Sequence, residues 1–429
     1  LLKLLTVRTT GFDSGYIGGV LAMTSFKKQF GTVDKSDPSG FNITTGNKSL
    51  VTSILSAGTF VGALIAGTLA DTIGRRLSII IACLIFIVGV VVQITSHSVG
   101  GLVAGRVVAG LGMGIVSSTI ILYMSEIAPR KIRGALVAGY QFAITIGLFL
   151  ASIVDNATKD RVGSSAYRIP IGIQFVFAVI LAIGLFILPE SPRFYVKTGQ
   201  NEKAAKSLSR VRGQAIDSEF VQAELAEIVA NYEYEMGIQQ ASWADCFKGG
   251  LHPRGNLYRV IVGTALQAFQ QLTGVNFIFY YGTTFFSQSG IKDPFLISVA
   301  TSVVNVCSTP VSWWAIERMG RRKLLIYGAA LMLVCEFIVA AVGTALPNSK
   351  SASTTLIVFV CIYIFGFAST WGPAAWVVIG EIFPLPIRSK GVALSTASNW
   401  LWNFIIGYVT PYMVDKDYGN LQAKVFFIW

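Results

Sequence analysis

From about residue 50 onward the chain repeats one pattern: some twenty apolar residues, then a short polar break. A helix needs a run of about that length to cross the hydrocarbon core of a bilayer. Such runs fall at 50–70, 77–95, 99–122, 135–154 and 169–188. After a polar interval they resume at 258–286, 295–315, 323–345, 354–380 and 391–413. Lys424-Val-Phe-Phe-Ile-Trp429 reads as the opening of a twelfth. A first span is expected around Asp13, in GFDSGYIGGV, but Lys3 and Arg8 interrupt residues 1–12 and no initiator Met is present. The first helix is therefore expected to be broken there, and the start of the chain truncated or altered.

Composition agrees with this pattern. The 429 residues are 53% hydrophobic and 13% charged, more apolar surface than a soluble domain needs. Residues 190–257 are different, rich in Lys, Arg, Glu and Gln, with helical patterns at 201–211 and 218–234. The expectation is an all-α membrane protein: an amino-terminal half over 1–189, a cytoplasmic helical linker over 190–257 and a carboxy-terminal half over 258–429.

The net charge of +12 is unevenly placed. With the start of the chain on the cytoplasmic side, Arg75, Arg76, Arg130, Lys131, Arg133, Arg193, Arg321, Arg322, Lys323, Arg388 and Lys390 all fall in cytoplasmic loops. Lys27, Lys28, Lys159 and Lys292 fall opposite. That is the positive-inside bias. A basic groove interleaved with aromatics is missing, so nucleic acid is not the partner implied. Asn42-Ile-Thr and Asn47-Lys-Ser are glycosylation sequons in an outer loop. Four of the five cysteines lie in apolar spans and Cys246 in the linker, which gives no disulfide framework. His97 and His252 sit in loops, with no metal-ligand spacing and no phosphate-cradling glycine loop. No cofactor and no enzyme chemistry is implied.

The two halves repeat. GTLADTIGRR (67–76) returns as WWAIERMGRR (313–322), aligning Asp71 with Glu317 and Gly74 with Gly320. SEIAPRKIRG (125–134) returns as GEIFPLPIRSKG (380–391), aligning Glu126 with Glu381 and Arg133 with Arg388. Duplicated halves joined by a linker are a common plan of secondary transporters, with the substrate site at their interface. The arginines of these turns, Arg75, Arg76, Arg321 and Arg322, can pair with Glu126, Glu190, Glu317 and Glu381. Topology alone would account for the basic residues but not for the acids.

The densest polar chemistry inside a span is Gln267-Ala-Phe-Gln-Gln-Leu-Thr-Gly-Val-Asn276. Gln267, Gln270 and Gln271 stand at i, i+3 and i+4, one helical face. Asn276 follows a glycine break at Gly274, and Tyr280 and Tyr281 are placed to narrow one end of a cavity. Amides offer donor and acceptor without charge, as the hydroxyls of a neutral polyol do. The plainer alternative is that they only bond neighbouring helices. Asp13 and Arg106 are the ionisable residues expected in the apolar part of the first half, and a mutual pair is the default for such groups.

QQLTGVN followed by FYY resembles the seventh helix of the sugar porter branch of the major facilitator superfamily. The repeated basic turns and Pro189-Glu-Ser-Pro-Arg193 extend the resemblance over nearly the whole chain. It implies the major facilitator fold, with the cytoplasmic ion pairs, Arg193 among them, holding that side shut when the cavity opens outward. It also implies sugar contacts at Gln141, Asn305, Trp376 and Asn403, besides the amides above. Trp376 follows a Gly372-Pro373 break, and an indole can stack on the C–H face of a pyranose. Asn399 stands one turn before Asn403 on the same face. Asp13 and Arg106 match the family's first- and fourth-helix positions, where in coupled members the carboxylate takes up and releases the proton beside the arginine. Ala368 stands where the family has an acid, which leaves the exact sugar open.

Three readings follow. The first is a monosaccharide transporter, probing first for hexose and glucose, that moves its substrate with protons. The second is a facilitative carrier, and the third a sugar sensor that scarcely transports. The resemblance to fungal members implies a multi-pass protein of the plasma membrane that works as a monomer.

Overall fold

Each apolar run of the first half becomes one helix, α1 (Leu2–Ala22), α3 (Thr45–Ile73), α4 (Arg75–Thr95), α5 (Val99–Ile127), α6 (Arg133–Thr158) and α7 (Ser165–Ile187), with a short α2 (Thr24–Phe30) after α1. This computed structural model describes every residue except 1, 35–39, 129–132, 238–241, 253–254, 289–290, 347–349, 385–386 and 416, and the side chains of 2–10, 125, 133–138, 235–237, 288, 350 and 389. Thr32–Val33 and Phe41–Asn42 pair as a two-residue antiparallel ribbon in the loop before α3. The first helix is not broken as expected. It runs unbroken through residues 3 and 8 to Ala22, because a helix satisfies its own backbone whatever side chains it carries.

The second half differs, since its spans are interrupted. The run at 258–286 is α11 (Asn256–Leu272) and α12 (Val275–Gln288), separated at Gly274, whose φ is +80°. The next is α13 (Pro294–Ser308) and α14 (Val311–Met319), bent by 44°. After α15 (Arg321–Ala345), the span at 354–380 divides at Thr370 into α16 (Lys350–Ser369) and α17 (Trp371–Ile382). The last long helix is α18 (Arg388–Val414). The residues read as the start of a further helix form a 3-10 turn, Gln422–Phe427, packed on α15.

Between the halves lie α8 (Pro192–Lys197), α9 (Asn201–Arg212), α10 (Glu219–Gly237) and a 3-10 turn at Trp243–Phe247. The amphipathic α9 buries Ala204, Ala205 and Leu208. Arg212 Nη1 donates to Ile127 O at the end of α5 (2.9 Å), which fastens this segment to the first half.

Among the described residues, seven helices are long and apolar enough to cross a membrane, or eight with the bent pair. The runs α11–α12 and α18, which carry the three neighbouring glutamines and Asn399 and Asn403, are not among them. Large side chains such as Leu84, Val88, Phe186, Leu333 and Phe337 point outward, the surface a lipid-embedded bundle presents. Inside the first half, small residues bring helices close. A Cβ on Gly58 or Gly62 of α3 would come within 2.5 or 2.3 Å of a carbonyl of α5. The halves meet where α1 packs on α12, α3 on α18 and α6 on α13.

Candidate functional site

The amides of α11 and α18 form one hydrogen-bonded cluster. Asn399 Nδ2 donates to Gln267 Oε1 (2.7 Å) and to Gln270 Oε1 (2.8 Å). Asn403 Nδ2 donates to Gln271 Oε1 (3.3 Å), and Asn276 donates to the same oxygen. Asn403 Oδ1 accepts from Tyr280 (3.0 Å) and from Ser56 of the other half (2.7 Å). Tyr281 donates to Gly407 O at 2.8 Å. The i, i+3, i+4 spacing of the glutamines faces them to α18, whose Asn399 and Asn403 stand one turn apart.

The cluster sorts its members. Gln270 is fully engaged, for its Nε2 donates to Trp371 O (3.0 Å) and Gly372 O (2.9 Å) at the first turn of α17. This is the helix-bonding role of a buried amide. Gln267 keeps Nε2 without a partner and Asn305 keeps Oδ1 without one, although both side chains are buried. Each thus keeps one uncommitted polar atom, a donor on Gln267 and an acceptor on Asn305. Gln141 reaches the cluster from α6, since a Cβ on Gly372 would stand 3.5 Å from its Nε2. Trp376 is buried edge-on to Tyr140, with ring centroids 5.6 Å apart.

Asp13 and Arg106 are both buried but form no ion pair, contrary to expectation. Arg106 Nη1 donates to Tyr16 Oη (2.7 Å), and Tyr16 donates to Gln93 Oε1 (3.0 Å). Both Asp13 oxygens lack a hydrogen-bond partner. The tyrosine hydroxyl one turn along α1 takes the guanidinium that the carboxylate was expected to hold. Nor are these two the only ionisable groups here: Asp155, placed by sequence beyond the fifth span, is buried inside α6. Tyr16, Gln93, Gln174 and Asp155 were missed; Gln93 and Gln174 each stand as a lone polar residue in an apolar run, whereas Tyr16 and Asp155 have polar neighbours.

At the opposite end of the bundle the two repeats match in geometry. Arg75 Nη2 lies 2.9 Å from Glu126 and 3.2 Å from Asp71, and Arg321 Nη2 lies 2.8 Å from Glu381. Gly74 and Gly320 share one backbone conformation, φ +94°, ψ 162° and φ +76°, ψ 159°. Each of these ion pairs stays within its own half. Arg76 donates from Nη2 to Phe186 O (2.9 Å). Glu190 accepts from the backbone N–H groups of Arg75, Arg76 and Ser191, while burial pushes its carboxyl above the ordinary value of 4.5 against those hydrogen bonds. Glu317, Arg193 and Arg322 form no ion pair among the described residues, and the side chain of Arg133 lies outside them. Arg388 Nε donates to Phe383 O at 3.3 Å.

Among the described residues, two ion pairs that join the halves lie at the other end. Lys48 of α3 meets Asp415 beyond α18 (3.2 Å), where Thr45 also donates (2.7 Å), and Lys159 lies 3.8 Å from Asp293. The bundle is therefore fastened on the side of the 25–49 loop.

The family described as "Sugar (and other) transporter" matches residues 3–429. The "Major facilitator-type transporter ecdD" of Aspergillus rugulosus is 46% identical over 98% of this chain and 79% of its own length. The "Probable glucose transporter rco-3" of Neurospora crassa is 46% identical over 98% of this chain and 71% of its own. In structure, the chain resembles the xylose transporter XylE from E. coli in a partially occluded inward open conformation. The TM-score is 0.80 at 23% identity, covering 99% of this chain and 93% of that one.

Proposed function

We propose that this chain, which belongs to the sugar transporter family of the major facilitator superfamily, carries a hexose across the plasma membrane, together with protons and as a monomer. Glucose is the first substrate to try, because one relative bears the name of a glucose transporter. The observation that carries the reading is the amide cluster, neutral and buried, with Gln267 Nε2 and Asn305 Oδ1 still free to bond hydroxyls. A soluble-enzyme site would need a nucleophile or a general base beside them, whereas carriage needs only reversible hydrogen bonds. Alternating access then requires the halves to part at one end while they close at the other. Lys48–Asp415 fastens the outer end, and the basic turns with their acids brace the cytoplasmic end.

Asp13 is the group assigned to the coupling proton, since neither of its oxygens is committed to a partner. Uncoupled carriage is the second reading. The Arg106–Tyr16 contact favours it, because it leaves the arginine occupied without the carboxylate.

Uptake of labelled hexoses into transporter-deficient cells, at two external pH values and with or without a protonophore, tests both. Saturable hexose uptake that collapses with the protonophore is expected. Uptake indifferent to pH and protonophore would leave the facilitator, and no saturable sugar uptake by the surface-expressed protein would overturn the reading as a carrier.

A further inference from the structure

One buried carboxylate has no part in the scheme above. Asp155 lies one turn before the end of α6, is 2% exposed, and its Oδ1 has no hydrogen-bond partner. It borders a cavity of about 20 Å³ enclosed by α1 and α6 of one half and α12 and α13 of the other. Gly19 forms the near wall. A Cβ there would stand 2.2 Å from Asp155 Oδ2, so no larger residue leaves room for the carboxylate. Hydroxyls complete the lining: Thr283 and Ser298 share a hydrogen bond of 2.8 Å, and Ser152, one turn before Asp155, meets Ser302 across the halves at 2.9 Å. Asp155 is the sole ionisable group among the lining residues. The next charge along α6 is Lys159, which is turned to Asp293.

We infer that Asp155 and these hydroxyls form a second sugar station, filled by a monosaccharide when the halves part on this side. The inference rests on the reading of the chain as a sugar carrier. A carboxylate accepts from two neighbouring hydroxyls of a pyranose in charge-assisted hydrogen bonds. One of Ser152 and Ser302 donates to the other, which donates to a carbonyl of its own helix, and both keep lone pairs for further sugar O–H groups. The station is rich in acceptors, where the amide cluster offers both kinds of group. It adjoins that cluster on the side of the 25–49 loop, for Phe279 precedes Tyr280 in α12 and Ser302 stands one turn before Asn305 in α13. In the closed arrangement the cavity has the size of a water site, so a sugar fits only once the Ser152–Ser302 contact has opened.

The test compares half-saturation concentrations for influx and efflux in sealed vesicles, using glucose as probe, for the wild type, Asp155→Ala and Ser302→Ala. The station exists only with the outer side open, so its loss weakens binding from outside. The ratio of influx to efflux half-saturation should rise about five- to tenfold in Asp155→Ala, the usual scale for one lost charge-assisted contact, and less in Ser302→Ala. Asp155→Asn, which keeps the shape, replaces Asp155→Ala if that variant fails to reach the membrane. An unchanged ratio in the aspartate and serine variants overturns the inference. So does a change confined to the pH dependence of influx, which would make Asp155 a proton site. A wild type that carries no sugar fails differently, for it removes the carrier reading itself.

Discussion

Glu190 stands over the first turn of α4 and accepts from the backbone N–H of Arg76 at 2.9 Å. The same carboxylate takes the N–H of Arg75 at 3.1 Å, so PESPR closes the helix that GRR opens. An anion there meets unpaired donors and the positive end of the helix dipole. Gly74 makes the approach possible, since a Cβ on it would lie 2.6 Å from Glu190 Oε2.

Burial raises the Glu190 carboxyl above its ordinary 4.5, and the sign of the pH effect follows. A raised native value means that this group's contribution is fully present below about 4.5 and is lost as pH rises through the native value. It therefore opposes the usual loss of stability in acid. In Glu190→Gln the amide no longer titrates, so a plot of thermal midpoint against pH should lose this component, which lies on the alkaline side of 4.5. Superimposable pH profiles for wild type and variant would contradict the assignment.

The repeated ion pairs should differ in weight. Arg75 and Glu126 side chains are each 7% exposed, whereas those of Arg321 and Glu381 are 42% and 53% exposed. Glu126→Gln leaves a buried guanidinium short of a partner and should cost about 3 kcal/mol. Glu381→Gln should cost under about 1 kcal/mol, because water already screens the pair. Thermal unfolding in detergent of the two variants side by side checks the order.

Within the amide cluster, Gln267 and Gln270 should separate binding from folding. Gln267→Ala frees no backbone carbonyl and should weaken glucose binding by about 1–3 kcal/mol. Gln270→Ala strips a partner from Trp371 O and Gly372 O, so it should lower the thermal midpoint as well. Equal losses of midpoint in the two would show that both are structural.

Lys48→Met should release the outer fastening. A part-buried pair worth about 1 kcal/mol shifts a two-state equilibrium about fivefold. Labelling of a cysteine placed at Ser302 by an impermeant reagent from outside should rise by that order, and unchanged labelling would deny Lys48–Asp415 any part in closing.

The bundle was legible because hydrophobic length sets span length, and the repeat was legible because both copies keep acid and arginine in register. Arg75–Glu126 and Arg321–Glu381 then pair as the alignment of the halves implies. The division of labour among the glutamines was not legible. Gln270 and Gln267 are equivalent on a helical wheel, and only the position of α17 tells them apart. Arg106 went astray for a related reason: charge predicts attraction to Asp13, but Tyr16 offers a hydroxyl at 2.7 Å that no periodicity announces. Asp155 drew no attention because the apolar run ends just before it, while the helix continues to Thr158.

The bonds from Asn399 to Gln267 and Gln270 join positions 132 and 129 residues apart. During synthesis α11 therefore meets the membrane long before α18 has been made. Through that interval its amides have no lasting partner, and hydrocarbon is a poor place for them. The partners that Asn399 supplies to Gln267 and Gln270 exist only once α18 has been made. Burying the glutamines of α11 among the helices is thereby conditional on the arrival of α18, so the bundle cannot close its polar interior half by half.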